Sequence, residues 1–184
     1  MLLRCPLVAV VLLLACTPAP GEGRLRLQVS GAPAVETSTT SMDGYAVHFT
    51  RLVVVLGDVV SRGTEGGGEM RDGRTVALDL VPPGPHLLSE QPVTATFYNT
   101  VDVTLLPAGA TTVPLNVTAE LVAAMAAAGA AVRVEGTLFK DPVEKQFSWD
   151  VPLRTRFAGC GGRRINLFWS FVVIGFVLPD VRIP

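Results

Sequence analysis

The chain predicts a mainly β, β-sandwich-like domain with one short helix. Three observations carry that reading. Several segments alternate apolar and polar residues with period two, the mark of strands buried on one face. Gly- and Pro-rich breaks separate them, as turns require. One stretch, residues 119–128, carries helix start and stop signals instead of alternation.

In chain order, Leu25, Leu27 and Val29 alternate with Arg26, Gln28 and Ser30, giving a half-buried strand. Gly31–Ser41 is small and polar and reads as a linker. In Tyr45–Val60, Tyr45, Val47 and Phe49 share a face. The phase changes after Arg51, and Leu52–Leu56 is continuously apolar. A strand that switches face needs a bulge or a bend. A continuous apolar run needs cover on both faces, as at the centre of a sandwich. Ser61–Arg74, with Gly63, Gly66, Gly67, Gly68 and Gly73, reads as a mobile loop. Thr75–Leu80 is a short strand, stopped by Pro82-Pro83-Gly84-Pro85.

Val93–Leu105 alternates most cleanly. Val93, Ala95, Phe97, Asn99, Val101, Val103 and Leu105 point one way, and a Thr-rich face with Tyr98 and Asp102 points outward. Pro107-Ala108-Gly109 turns the chain and Thr111–Val117 returns. The helix is Ala119–Ala128, with Thr118 as N-cap, Glu120 complementing the dipole and Gly129 as the stop. Alanine supplies propensity but little grip, so Leu121, Val122 and Met125 must dock it. Val132–Lys140 and Phe147–Phe157 form a hairpin around Asp141–Gln146. Phe147, Trp149, Val151, Leu153 and Phe157 share a face of its second arm. Pro152 cannot donate to a ladder, so this arm is an edge or the proline nitrogen faces away.

The N-terminus is a separate matter. Met1–Arg4 is positively charged, and Pro6–Ala15 is apolar but too short for a span of roughly 20 residues. Residues 1–15 therefore read as a signal peptide. Leu13-Leu14-Ala15-Cys16 resembles the lipobox of bacterial lipoproteins. That resemblance implies diacylglycerol on the Cys16 thiol, cleavage before Cys16 and a further acyl chain on the new amine. Each buried methylene adds about 0.8 kcal/mol, so two or three chains anchor stably. The rival reading is an ordinary secretory leader with Cys16 incidental, but no small-x-small site follows the apolar run. Thr17 stands where inner-membrane members carry Asp, so the resemblance implies the outer membrane, on its periplasmic or surface face. Residues 16–23 are then a lipidated Pro/Gly tether, 24–160 the β-rich domain and 161–184 an apolar tail.

A second resemblance covers Asp43 to Cys160. Asp43-Gly44-Tyr45-Ala46-Val47-His48-Phe49, continuing to Leu56-Gly57-Asp58-Val59, resembles an opening block of uncharacterised bacterial lipoproteins. Val134-Glu135-Gly136-Thr137, Phe147-Ser148-Trp149, Phe157 and Cys160 resemble their later strand pair. It implies an exported β-rich lipoprotein and carries over no site residue. The tail has a different character: Ile165–Leu178 is almost wholly apolar. It reads as a last core strand pair, as a segment for a partner or membrane, or as an atypical terminus.

Composition bounds function. Losing the leader leaves 169 residues, enough for one domain, and loss of Arg4 takes the net charge from −1 to −2. That balance excludes a nucleic-acid partner, which needs a basic stripe. Thirteen of the fifteen basic residues are Arg, which reads as a high-GC genome, not a phosphate-binding surface. With Cys5 in the leader and Cys16 acylated, Cys160 is left alone and no internal disulfide is expected. His48 and His86 are read as strand-surface and turn residues, not ligands. The Gly63–Gly68 run lacks the Lys-Ser/Thr of a phosphate loop. Asp43, Asp58, Asp72 and Asp79 would make a calcium site only if loops gathered them. Asn116-Val117-Thr118 is a chance glycosylation match, and Trp149 and Trp169 are read as core. No catalytic residue, metal or cofactor is assigned. The chain reads as a membrane-anchored binding or structural module of the cell envelope, with membrane lipid and an envelope protein as partners. The alternatives are a hydrolase-like envelope enzyme with a site from scattered loops, and a subunit of an envelope assembly.

Overall fold

The computed structural model describes residues 22–41, 43–63, 68–94 and 98–161. Their elements are β1 Glu22–Val29, α1 Pro33–Glu36, β2 Thr39–Thr40, β3 Ala46–Gly63, β4 Glu69–Asp72, β5 Val76–Asp79, β6 His86–Thr94, β7 Tyr98–Leu105, β8 Val113–Pro114, α2 Ala119–Ala128, β9 Val132–Lys140, β10 Val143–Val151 and β11 Thr155–Gly161. The domain is mainly β and sandwich-like, as the alternation predicts. A two-stranded ribbon, β1–β6, lies over a nine-stranded sheet.

The sheet is organised by β3, 18 residues long. Along one edge β3 pairs with β2, β5 and β4; along the other it pairs with β9 and then β7. Outside these run β10, on β9, and β11, on β7. The inner line breaks at Val55, which donates to the Ala131 carbonyl at 2.9 Å and accepts from the Leu106 N–H at 3.2 Å. Residues between these two, including β8 and α2, loop away and return to the same point. The outer line breaks beside that gap, at 152–154, so Pro152 falls between strands where no ladder donor is needed.

The Leu52–Leu56 run is covered on both faces, as its composition requires. Leu52, Val54 and Leu56 join Leu78, Leu105 and Val132 in a core that receives Leu27, Val29 and Leu88 from the ribbon. Val53, Val55 and Ala77 meet Val122 and Met125 of α2 on the opposite face. A helix, not a second sheet, thus closes that side. The phase change after Arg51 is a bulge: Phe49 pairs with Gly136 and Arg51 with Glu135, leaving Thr50 extra. Helix α2 spans the predicted residues. The Thr118 hydroxyl accepts from the Leu121 N–H, and Gly129 ends the helix at φ 64°.

Several expectations need correction. Gly31–Ser41 is no mere linker: it holds α1 and β2, so there are two helices, and its Val35 is buried. Part of the expected Ser61–Arg74 loop is β4, paired with β3 and burying Met70. Val93–Leu105 is not one strand. Its ends belong to β6 and β7, which pair in different sheets, and residues 95–97 lie outside the described ones. Thr111–Val117 contributes only β8, which pairs in parallel with β5 and does not pair back on the strand before the turn. The late hairpin forms, but with a tighter turn: β10 begins at Val143, and its arm is split from β11. Strand β1 also begins at Glu22, inside the expected tether.

Gly136 is required where it stands. A Cβ there would lie 2.3 Å from the His48 carbonyl oxygen and 2.7 Å from Phe147 Cζ. The Phe147 ring fills that space, edge-on to Phe49 at 6.3 Å and stacked on Trp149 at 4.6 Å. Trp149, expected in the core, is half-buried and stacks on Phe147 at the margin of the core.

Candidate functional site

Three strand aspartates organise the polar chemistry of the domain. Asp is disfavoured in strands, so each needs a specific partner. Asp102 of β7 is buried. It accepts from the Gly159 N–H at 2.7 Å, from Arg62 Nη1 at 2.8 Å and from Arg156 Nη2 at 2.6 Å. Gly159 is freed for this by a bulge in β11, between Phe157 and Cys160. Those donors, Gly159 foremost, hold the Asp102 carboxyl well below the usual carboxylate range. The structure thus corrects the outward reading of this face: Asp102 and Thr104 are buried.

Asp72 of β4 is buried too. Arg74 binds it through Nε and Nη2, the latter at 2.6 Å, and the Ser89 hydroxyl donates at 2.6 Å. The Arg74 guanidinium, then Ser89, pulls its carboxyl well below the ordinary range. Ser89 belongs to β6, so this carboxylate fastens the ribbon to the large sheet. Asp79 of β5 accepts from the Leu52 and Val81 N–H groups, each at 3.0 Å. The Asn116 amide then imitates a strand neighbour. Its Oδ1 accepts from the Asp79 N–H at 2.7 Å, and its Nδ2 donates to the Asp79 carbonyl at 2.8 Å. The asparagine of the glycosylation-like triplet is thus a structural bridge.

Of the four aspartates weighed as a calcium site, only Asp58 and Asp72 line a common depression, and the set is not gathered. Asp72 and Asp79 are committed as above, Asp43 is exposed, and Asp58 lies at a bulge. Among the described residues no group of three or more His, Cys, Asp or Glu could hold a metal. His48 is exposed, with Nδ1 3.2 Å from the Thr37 carbonyl; His86 has Nε2 3.1 Å from the Pro82 carbonyl and Nδ1 3.4 Å from Asn116 Nδ2. The two histidines are not brought together. Cys160 pairs through its backbone with Val101. Cys16, Trp169 and the segment 162–184 lie outside the described residues.

The concave feature of interest is an open depression of about 440 Å³, lined by Asp58, Arg71, Asp72, Thr104, Arg154 and Arg156 among others. It follows from a second bulge in β3. Gly57 pairs with Thr104 and Val60 with Asp102, so Asp58 and Val59 oppose the single residue between them. Asp58 adopts φ 50°, the one positive-φ non-glycine among the described residues. Arg154 lies at the β10–β11 break and Arg156 two residues on, while Arg71 comes from β4. Sequence reading missed this gathering because Arg71 is far in the chain from the Arg154–Arg156 pair. The available signal was local: aspartates in apolar strands, with Arg74 close behind Asp72.

No protein-family model matches the chain, and neither curated proteins nor solved structures give a match.

Proposed function

We propose that the chain is a lipoprotein of the bacterial cell envelope, held in the outer membrane through acylated Cys16, with a non-enzymatic binding or structural domain. The Leu13-Leu14-Ala15-Cys16 box supports the anchor. The observation that supports the domain's role is how it spends its charges. The carboxylates of Asp72, Asp79 and Asp102 tie strands together, whereas arginine ends are left to solvent around one depression. Such a division suits a rigid frame that presents a surface.

The test of the anchor is fractionation of Cys16→Ser. The variant should move from the membrane to the soluble or unprocessed pool. Normal processing with retained membrane binding defeats the anchor reading. A second reading, as subunit of an envelope assembly, is favoured by one feature. Among the described residues β10 pairs only with β9, and Phe139, Val143 and Val151 are exposed at that margin. Cross-linking in intact envelopes from a residue placed at Val143 would trap a neighbouring protein if that margin is an interface.

A further inference from the structure

The depression beside the β3 bulge is built from arginines whose donors are only partly used. Arg154 has its acidic partner, Asp58, at 3.9 Å, and its side chain is 69% exposed. Arg156 spends Nη2 on Asp102 and is 59% exposed; Arg71 binds Glu69 through Nε and is 68% exposed. A guanidinium carries five N–H donors in a fixed fork, so each retains donors after its ion pair is made. With Arg62 and Arg74 behind them, five guanidinium groups stand against the carboxylates of Asp58, Glu69, Asp72 and Asp102. The chain as a whole is net negative, so this excess of cation is local.

We infer that the depression lined by Arg71, Arg154 and Arg156 is a binding site for a phosphate monoester. Three arginines around one concavity, Arg71 from β4 and Arg154 and Arg156 from the segment that opens β11, suit a tetrahedral group with three terminal oxygens. A planar carboxylate is satisfied by one fork. The volume, about 440 Å³, leaves room for the esterified group beside the phosphate. Asp58 is the counter-ion that the ligand displaces. It sits on the bulge in a left-handed conformation, and strained backbone of this kind gathers at functional positions. The composition of the chain, rich in Arg throughout, hides such a site; only the folded arrangement separates these three from the rest. The monoester can come from a lipid headgroup or from a soluble metabolite, and both present the same dianion. The inference rests on the reading of the domain as a binding module and is independent of the lipid anchor, which the Cys16→Ser fractionation tests by itself.

The experiment is calorimetric titration of the full chain in detergent with inorganic phosphate and with glycerol 3-phosphate. A parallel arm measures flotation with phosphatidylcholine vesicles, with and without phosphatidic acid. Saturable binding is expected in at least one arm, and the arm names the source. Arg154→Ala should weaken it roughly tenfold, the loss of one charge-assisted contact. Asp58→Asn should strengthen it several-fold, because the competing carboxylate is gone and Asn tolerates the left-handed backbone. Arg24→Ala, an equally exposed arginine of β1, should leave it unchanged. Absence of saturable binding in both arms overturns the site. So does equal weakening by Arg24→Ala and Arg154→Ala, which marks a diffuse charge effect. Both arginines are exposed, so the variants are expected to melt with the parent, and a melt confirms that the comparison is between folded proteins.

Discussion

Replacing Asp102 by Ala is the sharpest perturbation of the frame. Its carboxylate joins three strands: β7, which carries it, β3 through Arg62, and β11 through Arg156 and Gly159. The magnitude follows from what each donor does afterwards. Arg62 keeps Glu69 and Arg156 reaches water, so their losses are small. The Gly159 N–H, freed from the ladder by its bulge, loses a hydrogen bond to a charged acceptor, worth about 1.5–3 kcal/mol. Adding modest losses from the two arginines gives about 2–4 kcal/mol. For a domain of this size that lowers the melting temperature by roughly 4–16 °C. The sign with pH is fixed. The folded carboxyl titrates below its unfolded counterpart, so its stabilisation is full above about pH 4 and fades as pH falls through the folded value. The gap between parent and variant should therefore be largest near neutrality and narrow below about pH 4. Thermal melts of the chain from Gly21, at pH 7 and pH 3, make the measurement. A variant that melts within about 1 °C of the parent at pH 7 would refute the bracing role of this carboxylate.

Four further outcomes follow from the same structure. Asn116→Ala removes both bonds to Asp79 and should cost about 1–3 kcal/mol by chemical denaturation; a neutral result means β5 holds its edge unaided. Met125→Ala, at a fully buried position, should cost about 2–5 kcal/mol, and an unchanged midpoint would show that α2 is not part of the cooperative unit. Gly136→Ala should destabilise strongly, since its Cβ meets the His48 carbonyl; soluble protein with the parent's near-ultraviolet circular dichroism would contradict that. His48→Ala should shift stability by about 0.5 kcal/mol or less, because its ring is exposed and makes one backbone contact; a larger loss would assign it a role not visible here.

Legibility of the fold in the sequence tracked the range of the interactions involved. Helix α2 could be read because Thr118 and Gly129 act within a turn of their own positions. The two-sided burial of Leu52–Leu56 could be read because five adjacent apolar residues cannot all face one side of a strand. What covers each side could not, since the ribbon and α2 come from remote parts of the chain. The split of Val93–Leu105 was illegible for the same reason: alternation persists along the whole stretch while the pairing partner changes. Alternation also misread Asp102. Period two says that two faces differ, and does not say whether the polar face meets water or meets Arg62, Arg156 and Gly159.

That last distinction bears on why arginine, and not lysine, surrounds the aspartates. A buried carboxylate near a strand edge needs a partner that can bond it and still leave charge in water, because a fully buried pair loses more hydration than it regains. Arg62, Arg74 and Arg156 meet the need with side chains 41%, 54% and 59% exposed around carboxylates only 3–6% exposed. A lysine offers a compact ammonium on a flexible stem, whose remaining N–H groups are not held in a fixed outward fork. The same forks that brace the frame therefore present donors on its surface. Bracing the frame and presenting charge at its surface are then done by the same residues. The bulges of β3 and β11 bring Asp102 its backbone donor, place Asp58 in its left-handed turn, and set Arg154 and Arg156 facing Arg71 across one depression.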